Sequence, residues 1–273
     1  MTLALFTYPN IDPVIFSIGP FAVRWYALAY IAGLVFASWY MKRLVTTPAL
    51  WGNTRPTLTP EQVEGFFLWS VLGVVLGGRI GYVLFYNPAQ YLAHPLEALR
   101  VWDGGMSFHG GFLGVVVACL LYGRSIGAGL DRMLDLGAAS VPVGLGLGRL
   151  ANFINGELWG RASDVPWATV FPGDTLQVPR HPSQLYEAVL EGLVLFLLVR
   201  LATHRFQALA HPGRASGVFA LVYGLSRIVV EFFREPDVQL GYFAGFLTMG
   251  MLLSLPLVAV GIWLLIRSRH ATA

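Results

Sequence analysis

The chain is poor in the residues that most soluble enzymes use freely. It holds one cysteine, Cys119. No internal disulfide can form, and cysteine usage says nothing of the redox compartment. Cys119 sits in an apolar run and reads as a small core residue. Only 12% of the 273 residues are charged, where soluble domains carry about 25%. Lys42 is the sole lysine, against 17 arginines. Those arginines are scattered rather than clustered, so they do not support nucleic-acid binding. The six histidines (His94, His109, His181, His204, His211, His270) are dispersed and show no compact metal-ligand spacing. No glycine-rich nucleotide-binding turn follows a strand. Neither a metal nor a cofactor is expected. Residues 1 to 20 lack the basic stretch of a cleavable signal peptide.

What the chain has instead is apolar length. It is 56% hydrophobic, and several runs approach the roughly 20 apolar residues that span a bilayer. This predicts an all-α polytopic membrane protein, a single membrane domain over residues 1–273. About seven spans are expected, near 21–41, 63–86, 109–124, 132–149, 184–203, 215–234 and 243–266. Lys42, Arg43, Arg124, Arg132, Arg200, Arg205, Arg214, Arg267 and Arg269 then share one side. The positive-inside rule makes that side cytoplasmic, with the N-terminus outside and the C-terminus inside. Two outer connections are long: an arm near 87–108 and a small head near 150–183, rich in proline. Arg100, Arg149, Arg161, Arg180 and Arg234 fall against the charge bias. A cation kept on the outer side has a structural or functional reason to be there.

The polar residues gather in a few places. The segment Gly148-Arg-Leu-Ala-Asn-Phe-Ile-Asn-Gly-Glu-Leu-Trp-Gly-Arg161 packs Arg149, Asn152, Asn155 and Glu157 against the end of an apolar run. It suggests a polar site able to bind an anion at the bilayer edge. In the sixth span, Tyr223, Arg227, Glu231 and Arg234 are spaced four, four and three, which sets them on one helical stripe. Two readings stay open there: a self-neutralising ion pair that locks helices, or an arginine that holds an anion while Glu231 orients it. His109, before Gly110 and Gly111, is either a capping residue or a proton acceptor near neutral pH. Arg24-Trp25-Tyr26 is either an interfacial anchor or places Tyr26 as a hydrogen-bond donor. Arg79 and Tyr82 could line a cavity or reach outward. On physics alone, a transporter of an anionic substrate suits these groups as well as an enzyme does.

These residues resemble a known family. Residues Gly148 to Gly160 are similar to the signature of the bacterial prolipoprotein diacylglyceryl transferases, Gly-Arg-x-small-Asn-Phe-x-Asn-x-Glu-x-x-Gly, and match every fixed position. Arg24-Trp25-Tyr26, His109-Gly110-Gly111 and Tyr223…Arg227…Glu231…Arg234-x-Pro236-Asp237 resemble that family's other landmarks, over about residues 10 to 266. The resemblance implies a seven-helix protein of the bacterial cytoplasmic membrane. The implied reaction moves the diacylglyceryl group of phosphatidylglycerol to the lipobox cysteine of a preprolipoprotein; a thioether forms and glycerol phosphate leaves. Arg149 is then the phosphatidylglycerol contact.

Such chemistry needs fixed positive charge on a departing phosphate, for which Arg149 and Arg227 are the candidates. It also needs a thiolate, for which His109 is the candidate base. Asn152 and Asn155 would hydrogen-bond headgroup oxygens, Glu157 would position an arginine or a glycerol hydroxyl, and Gly160 would allow a tight turn. Tyr26 and Arg234 would line or gate the cavity, and the long outer segments would admit the lipobox peptide.

Overall fold

The computed structural model describes residues 7–9, 11–19, 21–235 and 247–270. The landmarks Pro236 and Asp237 and the first residues of the expected last span, 243–246, lie outside them. The described residues are mostly helical. Helix α1 (Trp25–Val45) follows a short hairpin, β1 (Val14–Ile18) with β2 (Phe21–Arg24). This hairpin corrects the all-α expectation: β-branched residues favour extended backbone, and Gly19 takes a positive φ of 59° at the turn. Helix α2 (Pro60–Phe85) starts at a capping box in which Thr59 and Gln62 satisfy each other's backbone N–H. By length and composition, α2 and residues Met249–Arg269 are each sufficient to cross a membrane.

The arm after α2 is built from α3 (Pro88–Ala93) and two single-turn helices, Pro95–Leu99 and Val101–Asp103. Arg79 holds it in place. Its guanidinium is buried and donates to the carbonyls of Ala98, Glu97 and Gly104 at 2.8, 2.6 and 2.6 Å. It clasps the arm rather than reaching outward. Tyr82 stacks on Tyr86 beside it.

Helix α4 (Phe108–Ser125) is capped by Ser107, whose hydroxyl accepts from the Gly110 N–H at 3.2 Å. His109 therefore does not cap it. The expected span 132–149 is two helices, α5 (Leu130–Ser140) and α6 (Pro142–Ile154). Pro142 stands at the break: it offers no N–H to the preceding turn, so it takes the first position of a new helix. Helix α6 also runs past residue 150, so Asn152, expected in the segment 150–183, stands on the same helix as Arg149.

The head follows, with a second small sheet, β3 (Thr169–Val170) paired antiparallel to β4 (Pro179–Arg180). The chain then runs unbroken through α7 (Ser183–Glu187), a π-helical stretch (Ala188–Val194) and α8 (Leu195–Arg205). Helix α9 is Arg214–Glu231 and α10 is Met249–His270. Since α9 stops at Glu231, Arg234 lies in the turn beyond it rather than on the helical stripe.

Burial is inverted relative to a soluble protein. Leu68, Leu76, Ile80, Leu84, Leu113 and Trp263 face outward, whereas Gln184, Glu187, Glu191 and Glu231 are fully buried. The apolar core is displaced to one end, where Tyr40, Leu44, Trp51, Val63, Phe66, Cys119, Met133 and Val199 cluster. Cys119 is a core residue there, as expected. The buried carboxylates occupy the opposite part of the bundle, where α6 meets the π-helical stretch. That meeting depends on Gly146 and Gly192, whose backbones nearly touch: a Cβ on Gly192 would fall 2.6 Å from the Gly146 Cα. The close approach is of the small-residue type that lets membrane helices pack backbone to backbone.

Gly192→Val should therefore lower thermal stability in detergent by the equivalent of about 1–3 kcal/mol, the usual range for overpacking. Gly137→Ala meets nothing within 4 Å and should leave the melting temperature unchanged or raise it, since alanine is the better helix former by about 1 kcal/mol.

Candidate active site

Where α6, α7, the π-helical stretch and α9 converge, three arginines meet three glutamates. Arg149 comes from α6, Arg227 from α9 and Arg234 from the turn after it. Glu187 ends α7, Glu191 lies one turn on, and Glu231 closes α9. Glu187 spans two arginines with its two oxygens: Oε2 is 3.0 Å from Arg149 Nε, and Oε1 is 2.6 Å from Arg227 Nη1. Oε1 is also 4.0 Å from Arg234 Nε. Glu191 is held more loosely, 3.4 Å from Arg149 Nη2 and 3.7 Å from Arg227 Nη1. Glu231 pairs with Arg227 four residues back and with Arg234 at 3.4 Å. Buried charge is tolerated only when paired, and this cluster is formally neutral. The ion-pair reading of Arg227, Glu231 and Arg234 thus describes the geometry, but it is incomplete without α7. Arg149 has the most accessible side chain of the three arginines, 24% exposed against 13% for Arg227 and 14% for Arg234.

One helical turn beyond Arg149, Asn152 begins a second group. Its amide donates to the Tyr26 hydroxyl and, at 2.9 Å, to Glu157 Oε1. Asn155 donates to the same carboxylate oxygen at 3.5 Å, and Gln184 to the Glu157 carbonyl. Glu157 therefore gathers three amides. Beyond α6, Gly156 and Leu158 adopt positive φ, 63° and 58°, and make the turn assigned in advance to Gly160. Gly160 has another task. Its backbone bridges Arg234, its N–H donates to the His181 carbonyl at 2.8 Å, and a Cβ there would strike the Phe233 carbonyl. Tyr8 caps the end of α6, its hydroxyl lying 2.8 and 2.7 Å from the carbonyls of Phe153 and Ile154. Tyr223 stands one turn before Arg227, stacked on Phe219 against the apolar core.

His109 is elsewhere. It is exposed and lines an apolar groove of about 880 Å³ between α2 and α4, along with Ser107, Tyr86, Leu76, Leu84 and Leu113. That lining contains no residue of α6, α7 or α9. Arg24 is exposed at the start of α1.

Two of the arginines that fall against the expected charge bias, Arg161 and Arg180, have partners. Arg161 donates to the carbonyls of Arg234 and Glu231, both at 2.9 Å. Arg180 holds Asp174 with two bonds, at 2.7 and 3.2 Å, and reaches Glu235 at 3.2 Å. That guanidinium, aided by the Leu176 and Val178 N–H groups, keeps the Asp174 carboxyl below its ordinary range. Burial first, and the Arg161 charge second, push the His181 imidazole below its own.

The profile of the family described as "Prolipoprotein diacylglyceryl transferase" matches residues 13–267. The chain belongs to this family. Relatives named phosphatidylglycerol–prolipoprotein diacylglyceryl transferase include those of Brucella anthropi and Brucella canis. They are 57% and 56% identical over 267 residues, 97% of this chain and 95% of each relative. The segment 148–160, whose pattern resembles that family's signature, forms the last two turns of α6 and the loop to Gly160. Its Arg149 enters the ion cluster, and its Asn152, Asn155 and Glu157 form the amide group.

Glu187, Glu191 and Gln184 were not singled out from the sequence. The signal was present: two glutamates four residues apart inside an apolar run share one face and are costly in a bilayer unless paired.

The Asp174–Arg180 pair sets an acid dependence. A carboxyl whose folded value is depressed adds stability above its unfolded value of about 4 and loses it as the pH falls through the folded value. Melting curves should show Asp174→Asn less stable than the parent at pH 7. The gap should close as the pH drops below about 4; an unchanged gap at low pH would remove the pair from acid unfolding.

Proposed function

We propose that this chain transfers the diacylglyceryl group of phosphatidylglycerol to the lipobox cysteine thiol of preprolipoproteins, the first step of lipoprotein maturation. The observation that carries the proposal is the near-full-length identity to relatives bearing that activity as their name. The segment that resembles that family's signature carries Arg149 and Asn152, both part of the polar groups inside the bundle. In the reaction, sulfur attacks the glyceryl carbon that bears the phosphate ester. The carbon–oxygen bond breaks, a thioether forms, and glycerol phosphate leaves with the electron pair.

Arg149 and Arg227 are assigned to the phosphate. Guanidinium groups offer two parallel N–H donors to an oxyanion, and in a buried setting they stabilise the charge that develops on the leaving group. Arg149, the most exposed of the three arginines, takes the first contact. Tyr26, Asn152, Asn155 and Glu157 are assigned to the headgroup, with Tyr223, Glu231 and Arg234 shaping the wall behind it. Gly160 serves by letting the head cross the Arg234 backbone closely. His109 is assigned as the base that takes the thiol proton, and it stands on α4, at the edge of an apolar groove suited to a lipid environment.

The assigned topology has seven spans in the bacterial inner membrane, an outer head and arm, the N-terminus outside and the C-terminus cytoplasmic. Ends assigned to the cytoplasm are linked in pairs: Lys42 with Glu64 at 2.6 Å, Arg267 with Asp131, and Arg214 with the Ser268 carbonyl at 3.2 Å.

Purified protein given phosphatidylglycerol and a lipobox peptide should yield a thioether-lipidated peptide; folded protein without product would refute the proposal. In the same assay, Arg149→Lys and Arg227→Lys should each abolish or severely reduce transfer, because a point charge does not reproduce the planar fork. His109→Gln should slow transfer by about 10²–10⁴-fold if it is the base. A smaller loss would leave it only a positioning role.

A further inference from the structure

We infer that Glu187 is a positioning residue for the transfer, holding Arg149 and Arg227 at the separation of the two oxygens of one carboxylate. The inference rests on the assignment of those arginines to the phosphate. Two guanidinium cations repel each other in a medium of low dielectric. Nothing on α6 or α9 alone sets their distance, because the two helices carry them independently. Glu187 does so from a third element: one oxygen meets Arg149 at 3.0 Å, and the other meets Arg227 at 2.6 Å. Its side chain is wholly buried, so water does not compete for either oxygen.

The chemistry of the residue is as specific as its place. A glutamine there keeps one acceptor but turns an N–H₂ donor toward the second arginine, donor against donor. An aspartate keeps the charge but withdraws it by one methylene, so it cannot reach both. Glu191 lacks this role. It accepts a hydrogen bond from Arg149 at 3.4 Å and lies 3.7 Å from Arg227, farther on both sides than Glu187 at 3.0 and 2.6 Å. It balances charge, while Glu187 fixes geometry.

The test is a double-mutant cycle on the full-length protein in detergent. Lipobox-peptide lipidation is read as kcat and KM at varied phosphatidylglycerol, and thermal unfolding is followed alongside. Glu187→Gln should lower kcat by about 10²-fold, the scale on which a misplacement of about 1 Å costs rate. In Arg149→Lys or Arg227→Lys, where the geometry is already lost, adding Glu187→Gln should cost less than about 3-fold more, the signature of residues that act as a unit. Losses that multiply across the cycle, or that merely follow the folded fraction, would overturn the inference. If Glu187→Gln does not fold, Glu187→Asp serves: kcat should fall at least 10-fold in protein that melts normally, and parental kcat would overturn the inference. Full activity in Arg149→Lys and Arg227→Lys together would instead refute the phosphate assignment itself. Impaired lysine variants beside an active Glu187→Gln would refute the inference alone.

Discussion

Charge neutrality inside an apolar bundle is the constraint on which the structure depends. Three carboxylates with almost no exposed surface can stay ionised only beside cations, and three arginines supply them. The partners come from four elements, so no two neighbouring helices could make the cluster alone. Helix α6 must come near enough for Arg149 to reach Glu187, which is why Gly146 and Gly192 meet without side chains. The head must return to the end of α9, which is why Gly160 lies against Phe233 and Arg234. Both close approaches are backbone accommodations to an electrostatic demand.

The apolar surface and the polar interior belong to the same solution. Side chains that line the outside suit hydrocarbon, and polar groups turned inward form a site screened from water. A leaving phosphate gains most from arginines in such surroundings, since Coulomb interactions strengthen as the dielectric falls. The same arginines have their carboxylates already in place, so an arriving anionic lipid meets a balanced cluster. Under the proposed assignment it would meet what remains accessible of Arg149 rather than a naked patch of positive charge.

Much of this was legible in the residues. Arg149, Arg227 and Glu231 stood out because charge in apolar sequence is rare enough to be informative, and a spacing of four places Arg227 and Glu231 on one face. What escaped was set by tertiary partners. Arg234 looked helical by spacing, yet the chain leaves α9 at Glu231 to pair with Gly160. Pro142 marked a break in a run that seemed continuous, and a stricter reading of proline would have found it. Gly160 drew attention as a turn residue, whereas its lack of a side chain matters for a crossing 74 residues away in sequence at Arg234. The hairpin before α1 was overlooked because its strands are short and adjoin a longer helical signal. His109, Arg149 and Arg227 stand on three different helices, α4, α6 and α9, as their places in the apolar runs implied.

Tyr8 gives this architecture a timing. Its hydroxyl closes on carbonyls 145 and 146 residues later in the chain, at the turn that carries Asn152. When the polypeptide emerges from the ribosome in order, that turn stays unfinished until α1, α2, α4 and α5 have already been made. The end of α6 is thus closed by a long-range contact and not by its own neighbours in sequence.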